Sequence, residues 1–128
     1  MKKINLTVTG CMGRMGQQII RSSKKNKKFR LISLTENKLI NKKISGIKLN
    51  LNSAAAFKNT NVIIDFSDPR CTLDVLRIAA KIKRRVVIGT TGFTKNEENL
   101  IKKFSRKIPI LKAGNMSVGV NLLMYLTE

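Results

Sequence analysis

Apolar residues along this chain follow two alternating patterns. Short runs of strand length lie at Ile4 to Val8, Phe29 to Leu34, Asn61 to Asp65, Val86 to Ile88 and Ile108 to Ala113. Between them, apolar residues recur at helical spacing, as in Gly13 to Lys24, where Met15, Ile19 and Ile20 share one face. Pro69 suits the first position of a second helix, running through Lys83. Thr94 and Glu97 predict a capping box at the head of a third, ending near Lys107. A last helix is expected from about Ser117 to Thr127, and a brief one over Ser53 to Phe57. The polar stretch from Asn37 to Asn52 reads as a loop with a short strand at Ile47 to Leu51. The runs at Asn61 to Asp65 and Val86 to Ile88 are continuously apolar, as in strands covered on both faces. Strand and helix in alternation predict an α/β fold, a doubly wound parallel sheet in a single domain over residues 1–128.

The first strand runs directly into Gly10-Cys11-Met12-Gly13-Arg14-Met15-Gly16, and a helix starts at once. In this arrangement Gly10 permits the tight turn, Gly13 admits a phosphate to the backbone, and Gly16 brings the helix close to the sheet. The helix's first N–H groups and its dipole then face an anion. The spacing G-x-x-G-x-x-G differs from the commoner G-x-G-x-x-G, and Gln17 after Gly16 excludes a P-loop. Glu36 ends the second strand run about 20 residues beyond the last glycine, the position of a ribose-binding carboxylate. Glycine turns also serve structure alone, but the acid at this distance favours a Rossmann-type dinucleotide site.

In an open parallel sheet, ligands bind beyond the C-terminal strand ends. Four such ends carry small or polar loops: Gly10 to Gly16, Thr35-Glu36, Gly89-Thr90-Thr91-Gly92 and Ala113-Gly114-Asn115-Met116. Together they suit an extended ligand, with Gly89 expected to leave room for close approach. The acids Asp65 and Asp68 follow another strand run and have no partner identifiable from the sequence.

Composition changes this picture little. Lys and Arg number 26 against 7 acids, a net charge of +19, so nucleic acid must be weighed as a partner. The cations are spread through turns and helix C-terminal ends without interleaved aromatics for base stacking, so no nucleic-acid role is expected. No apolar run is long enough to span a bilayer, and the alternation after Met1-Lys2-Lys3 reads as a strand, not a signal peptide; no membrane partner is expected. Cys11 and Cys71 stand far apart and no histidine is present, so neither a zinc site nor a disulfide is expected, and the natural setting is a reducing cytoplasm.

Four blocks, in order, resemble the dihydrodipicolinate reductase family of bacterial lysine biosynthesis. They are Gly10-x-x-Gly13-Arg14-Met15-Gly16, Asp65-Phe66-Ser67-x-Pro69, Val87-Ile88-Gly89-Thr90-Thr91-Gly92-Phe93 and Asn115-x-Ser117-Val118-Gly119-Val120-Asn121. The resemblance implies an NAD(P)H-dependent oxidoreductase of the diaminopimelate route. Gly10, Cys11, Met12, Gly13, Arg14 and Met15 would hold the pyrophosphate, and Glu36 the adenosine ribose. Gly89, Thr90 and Thr91 with Ala113, Gly114, Asn115 and Met116 would flank the nicotinamide, and Thr91 would also reach the substrate carboxylate. Met116 replaces the family's usual Phe. Asn37 stands where members that use the 2′-phosphate often carry Arg, and Lys38 beside it could supply a point charge, which leaves NADH or NADPH open. The family's second domain, with its catalytic His and Lys and its main oligomer contacts, has no counterpart here. The resemblance therefore implies a cofactor-binding domain with no catalytic residue of its own, expected to bind a dinucleotide but to turn over little, with homo-oligomers only in the full-length protein. A dinucleotide-binding regulatory module without catalysis is the alternative.

Overall fold

The computed structural model describes residues 3–112. The elements run β1 (Ile4–Thr9), α1 (Arg14–Lys24), β2 (Phe29–Glu36), β3 (Lys43–Ile44), β4 (Ile47–Leu51), α2 (Ala54–Phe57), β5 (Val62–Asp65), α3 (Pro69–Ile82), β6 (Arg85–Ile88), α4 (Lys95–Ser105) and β7 (Ile110–Lys112). They form a seven-stranded sheet in the order β3-β4-β2-β1-β5-β6-β7. Every pairing is parallel except that of the two-residue β3 with β4. The fold is Rossmann-like α/β, as expected.

Strand alternation sorts the core into two layers. Leu6, Val8, Leu34, Val62, Ile64 and Val87 pack with Ile19 and Ile20 of α1 on one face. Ile63, Val86 and Ile88 pack with Val75, Leu76 and Ala79 of α3 and Ile101 of α4 on the other. A side-chain period of two in β5 and β6 sends neighbouring apolar residues to opposite helical layers, which is why these strands read as unbroken apolar runs.

Several boundaries differ from the sequence reading. The strand expected to stop at Leu34 continues through Thr35 and Glu36, because β4 pairs with it there: Thr35 stands opposite Asn50 and Glu36 opposite Leu51. Thr35 and Glu36 are therefore strand residues, not loop residues. Within the stretch read as a loop, Ser45 (φ 55°) and Gly46 (φ 79°) close a two-residue hairpin turn between β3 and β4. The last described strand begins only after Pro109, which has no N–H to donate, although its carbonyl accepts from Val86 N at 3.1 Å. The helix opened by Thr94 ends at Ser105, and the chain tightens through Lys107 N and Ile108 N, both donating to Phe104 O. The predicted capping box is present, with Thr94 Oγ1 accepting from Glu97 N and Glu97 Oε1 from Thr94 N. Ala113, Gly114, Asn115 and Met116 and the expected final helix lie outside the described residues.

Because β1 sits between β2 and β5, the chain leaves it in opposite directions across the sheet. This is the switch point at which an open parallel sheet forms a crevice.

Candidate functional site

Gly10 makes the turn off β1 at φ 65°, and a side chain there would meet the Phe66 carbonyl. A side chain at Gly16 would collide with the Gly10 carbonyl, so this glycine lets α1 start directly over the turn. Gly13, by contrast, is exposed, and its missing Cβ would find only the Gly10 carbonyl at 3.4 Å. Gly13 is also the N-cap of α1 and has no side chain to cap with. The first intrahelical bond is Gln17 N to Gly13 O at 3.0 Å, so the N–H groups of Arg14, Met15 and Gly16 before it have no acceptor in the helix. The other described helices of the fold are capped by side chains: Ser53 on α2, Asp68 on α3 and Thr94 on α4. The head of α1 is left open to an anion.

The turn is also tied to β2, a contact with no sign in the sequence. Met12 N donates to Glu36 Oε2 at 2.7 Å, and Cys11 N to Thr35 O at 3.4 Å. One carboxylate oxygen braces the turn, and the half-buried group keeps acceptor capacity for a ligand hydroxyl. Met12 O accepts from Gln17 Nε2 at 3.0 Å. Cys11 lies differently from a ligand-facing residue: its side chain is fully buried in the α1-side core. Burial first, and the nearby Glu36 charge second, push its thiol pKa up to about 11. Arg14 is exposed, and Met12 and Met15 are half-buried at the turn.

On the other side of β1 the picture reverses. Asp65 is the last residue of β5, fully buried, and it has the partners that sequence reasoning missed. Its carboxylate accepts from Thr9 Oγ1 and Thr72 Oγ1, from Ser67 Oγ at 2.7 Å and from Thr90 Oγ1 at 2.9 Å. Thr90 Oγ1 also accepts from Ser67 N at 2.9 Å, and Gly89 N donates to Asp65 O at 2.7 Å. The hydroxyl of Thr90 is thus engaged inside the fold, while Thr91 is exposed. Gly89 does not leave the open room expected of it: the Phe66 ring fills the place of a Cβ. Asp68 caps α3 through Cys71 N at 2.9 Å. An acid ending an unbroken apolar run was the available signal, since a buried carboxylate requires donors.

A hollow of about 430 Å³ opens beside the end of β2, lined by Glu36, Asn37, Leu51, Asn52 and, from α3, Cys71, Asp74, Arg77 and Ile78. Asn52 Nδ2 donates to Cys71 Sγ at 3.2 Å. Asn52 Oδ1 is buried and has no partner among the described residues, an acceptor suited to a ligand N–H. Burial raises the Cys71 thiol pKa, against a lowering hydrogen bond from Ser67.

A glycine turn, an open helix head and a strand-end carboxylate at the switch point define a nucleotide-binding domain of the Rossmann class. The chain belongs to the family described as "Dihydrodipicolinate reductase, N-terminus", which matches residues 4–116. It is 71% identical over 128 residues to the 4-hydroxy-tetrahydrodipicolinate reductase of Pelagibacter ubique, covering 100% of this chain and 50% of that protein. It is 39% identical over 123 residues to the enzyme of the same name from Bdellovibrio bacteriovorus, covering 96% of this chain and 49% of that one. The chain thus spans about half the length of these curated relatives. The dipicolinate-bound dihydrodipicolinate reductase of Paenisporosarcina sp. TG-14 shares the fold at a TM-score of 0.76 and 22% identity, over 97% of this chain and 52% of that one. A homoserine dehydrogenase from S. aureus shares it at 0.71 and 17% identity, over 90% of this chain and 33% of that one.

Proposed function

We propose that this chain is the nicotinamide-dinucleotide-binding half of a 4-hydroxy-tetrahydrodipicolinate reductase. The observation that carries this reading is the uncapped head of α1 at the switch point, braced by Glu36, in a chain of this family. The residues suit such a ligand. The N–H groups of Arg14 and Met15, with the dipole behind them, hold the pyrophosphate beside Gly13. Glu36 accepts from ribose hydroxyls with the oxygen that does not brace Met12 N. Asn52 Oδ1, in the adjoining hollow, accepts from the exocyclic amine of the adenine. Thr91 lies on the substrate side, exposed at the end of β6, and Thr90 positions it through Asp65. The family resemblance assigns Ala113 to Met116, which lie outside the described residues, to the nicotinamide side. When bound, the reduced nicotinamide supplies the hydride, and the chain's own contribution is to bind and orient.

In the longer protein this half would serve reduction of the cyclic precursor in lysine biosynthesis, in a cytoplasmic homo-oligomer. Reduction also needs a proton donor, and a chain without histidine offers none of the usual kind. Calorimetric titration with NADH and NADPH tests the reading. Binding of either, lost by at least about thirtyfold in Gly13→Val, is expected, a gap of roughly 2 kcal/mol. A folded Gly13→Val protein with unchanged affinity would overturn it. The purified chain is expected to show no turnover in a steady-state assay with fresh substrate, and clear turnover would assign the chemistry to Thr91 or Asn115.

A further inference from the structure

A carboxylate at the end of β2 recognises ribose hydroxyls and repels a phosphate on the ribose 2′ position, so acceptance of that phosphate requires a cation near the same spot. The two residues after Glu36 do not offer an obvious one. Asn37 is neutral, and Lys38 is exposed and is not part of the lining of the hollow that holds Glu36 and Asn37. Arg77 of α3 is part of it. Its Nη1 lies 2.6 Å from Asp74 Oδ1, one helical turn earlier, and the two side chains are 57% and 59% exposed.

Resting on the dinucleotide reading, we infer that Arg77 is the residue that admits a 2′-phosphate to this chain, with Asp74 as its resting partner. A guanidinium offers a planar fork of donors matched to phosphate oxygens, which a lysine ammonium does not. An exposed i, i+3 pair is weak enough to exchange for a dianionic phosphate. Asp74 holds the fork at the rim of the hollow when no phosphate is present and competes with the phosphate for it. Specificity at the ribose is therefore set from α3, across the hollow, and not from the residues that follow Glu36 in sequence.

Titration of the full chain and its variants with NADH and NADPH tests this, with NADH serving as the control for folding. Arg77→Ala is expected to lose at least tenfold in NADPH affinity while NADH changes less than twofold. Arg77→Lys should recover part of the loss. Asp74→Ala should raise NADPH affinity severalfold without altering NADH, and Lys38→Ala should leave both within twofold. The inference is overturned if Arg77→Ala leaves NADPH binding intact, if it weakens both cofactors equally, if Lys38→Ala carries the NADPH loss, or if the parent binds NADH alone. A parent that binds neither cofactor overturns the dinucleotide reading itself, and this inference with it.

Discussion

The turns that follow β1 and β6 both carry glycines, and the fold uses the space they leave in opposite ways. At Gly13 the missing side chain opens onto solvent beside first-turn N–H groups that have no acceptor in the helix. At Gly89 the missing side chain is already occupied by the Phe66 ring. The acids differ in the same sense. Glu36 spends one oxygen on Met12 N and stays half-buried, whereas the fully buried Asp65 takes hydroxyl donors on both oxygens. One side of the switch point is open to a ligand and the other is satisfied from within. Glycine spacing alone does not separate the two cases; counting where each donor and acceptor goes does.

The sharpest way to break the satisfied side is Asp65→Ala. It removes a carboxylate that four hydroxyls address and leaves three buried threonine hydroxyls and the half-buried Ser67 hydroxyl without this acceptor. The expected loss is about 3 kcal/mol or more in urea denaturation. A loss below ~1 kcal/mol would mean that the hydroxyls find other partners and that the network does not hold the β5 and β6 turns. Gly89→Ala should act in the same direction through overpacking against Phe66, by about 1–3 kcal/mol. Gly13→Val, which meets no such obstacle, should leave stability within ~1 kcal/mol and lose affinity instead. If the two glycine variants behaved alike, the contrast between the turns would fail.

The open side is tested through Glu36. Glu36→Ala should weaken NADH binding by roughly 10- to 100-fold, the equivalent of ~1.5–3 kcal/mol in charge-assisted hydrogen bonds. Part of that loss reflects the turn, since Met12 N loses its acceptor at the same time. Glu36→Gln keeps an acceptor for Met12 N and should lose less. Equal losses in the two variants, read by the same titration, would assign the whole effect to charge.

How far the sequence carried these conclusions depends on the distance over which each feature is encoded. The α1 head, the Thr94–Glu97 box and Pro69 at the start of α3 are local, set by residues a few positions apart, and they stand where the pattern placed them. Glu36 was also legible, because one strand–helix–strand unit fixes its distance from the glycines. The strand ends were not, since β2 gains Thr35 and Glu36 only through pairing with β4. The Asp65 network was hidden for the same reason. Thr9 reaches Asp65 because the register of β1 and β5 places them side by side, and Thr90 does so from the next strand's end. The sequence alone therefore read Thr90 as ligand-facing, while the structure turns its hydroxyl inward.

Cys11 tests how well the open turn is sealed underneath. The thiol lies in the core directly below the glycine turn, and burial together with Glu36 raises its pKa from 9.0 to about 11. An unfolded chain releases this proton from about pH 9 upward, while the folded chain keeps it, so the folded state binds more protons in that window. The sign follows: the contribution is fully present below pH 9 and is lost as pH rises through about 11. A shift of this size corresponds to about 2–3 kcal/mol over the whole window. Urea denaturation at pH 8 and pH 10.5 should show a larger alkaline loss in the parent than in Cys11→Ala, by about 2 kcal/mol. Cys71, whose pKa is also raised, keeps part of the alkaline loss in both proteins. Parallel losses would mean that solvent reaches Cys11 from the turn above it, and that the open side extends further into the domain than Gly13.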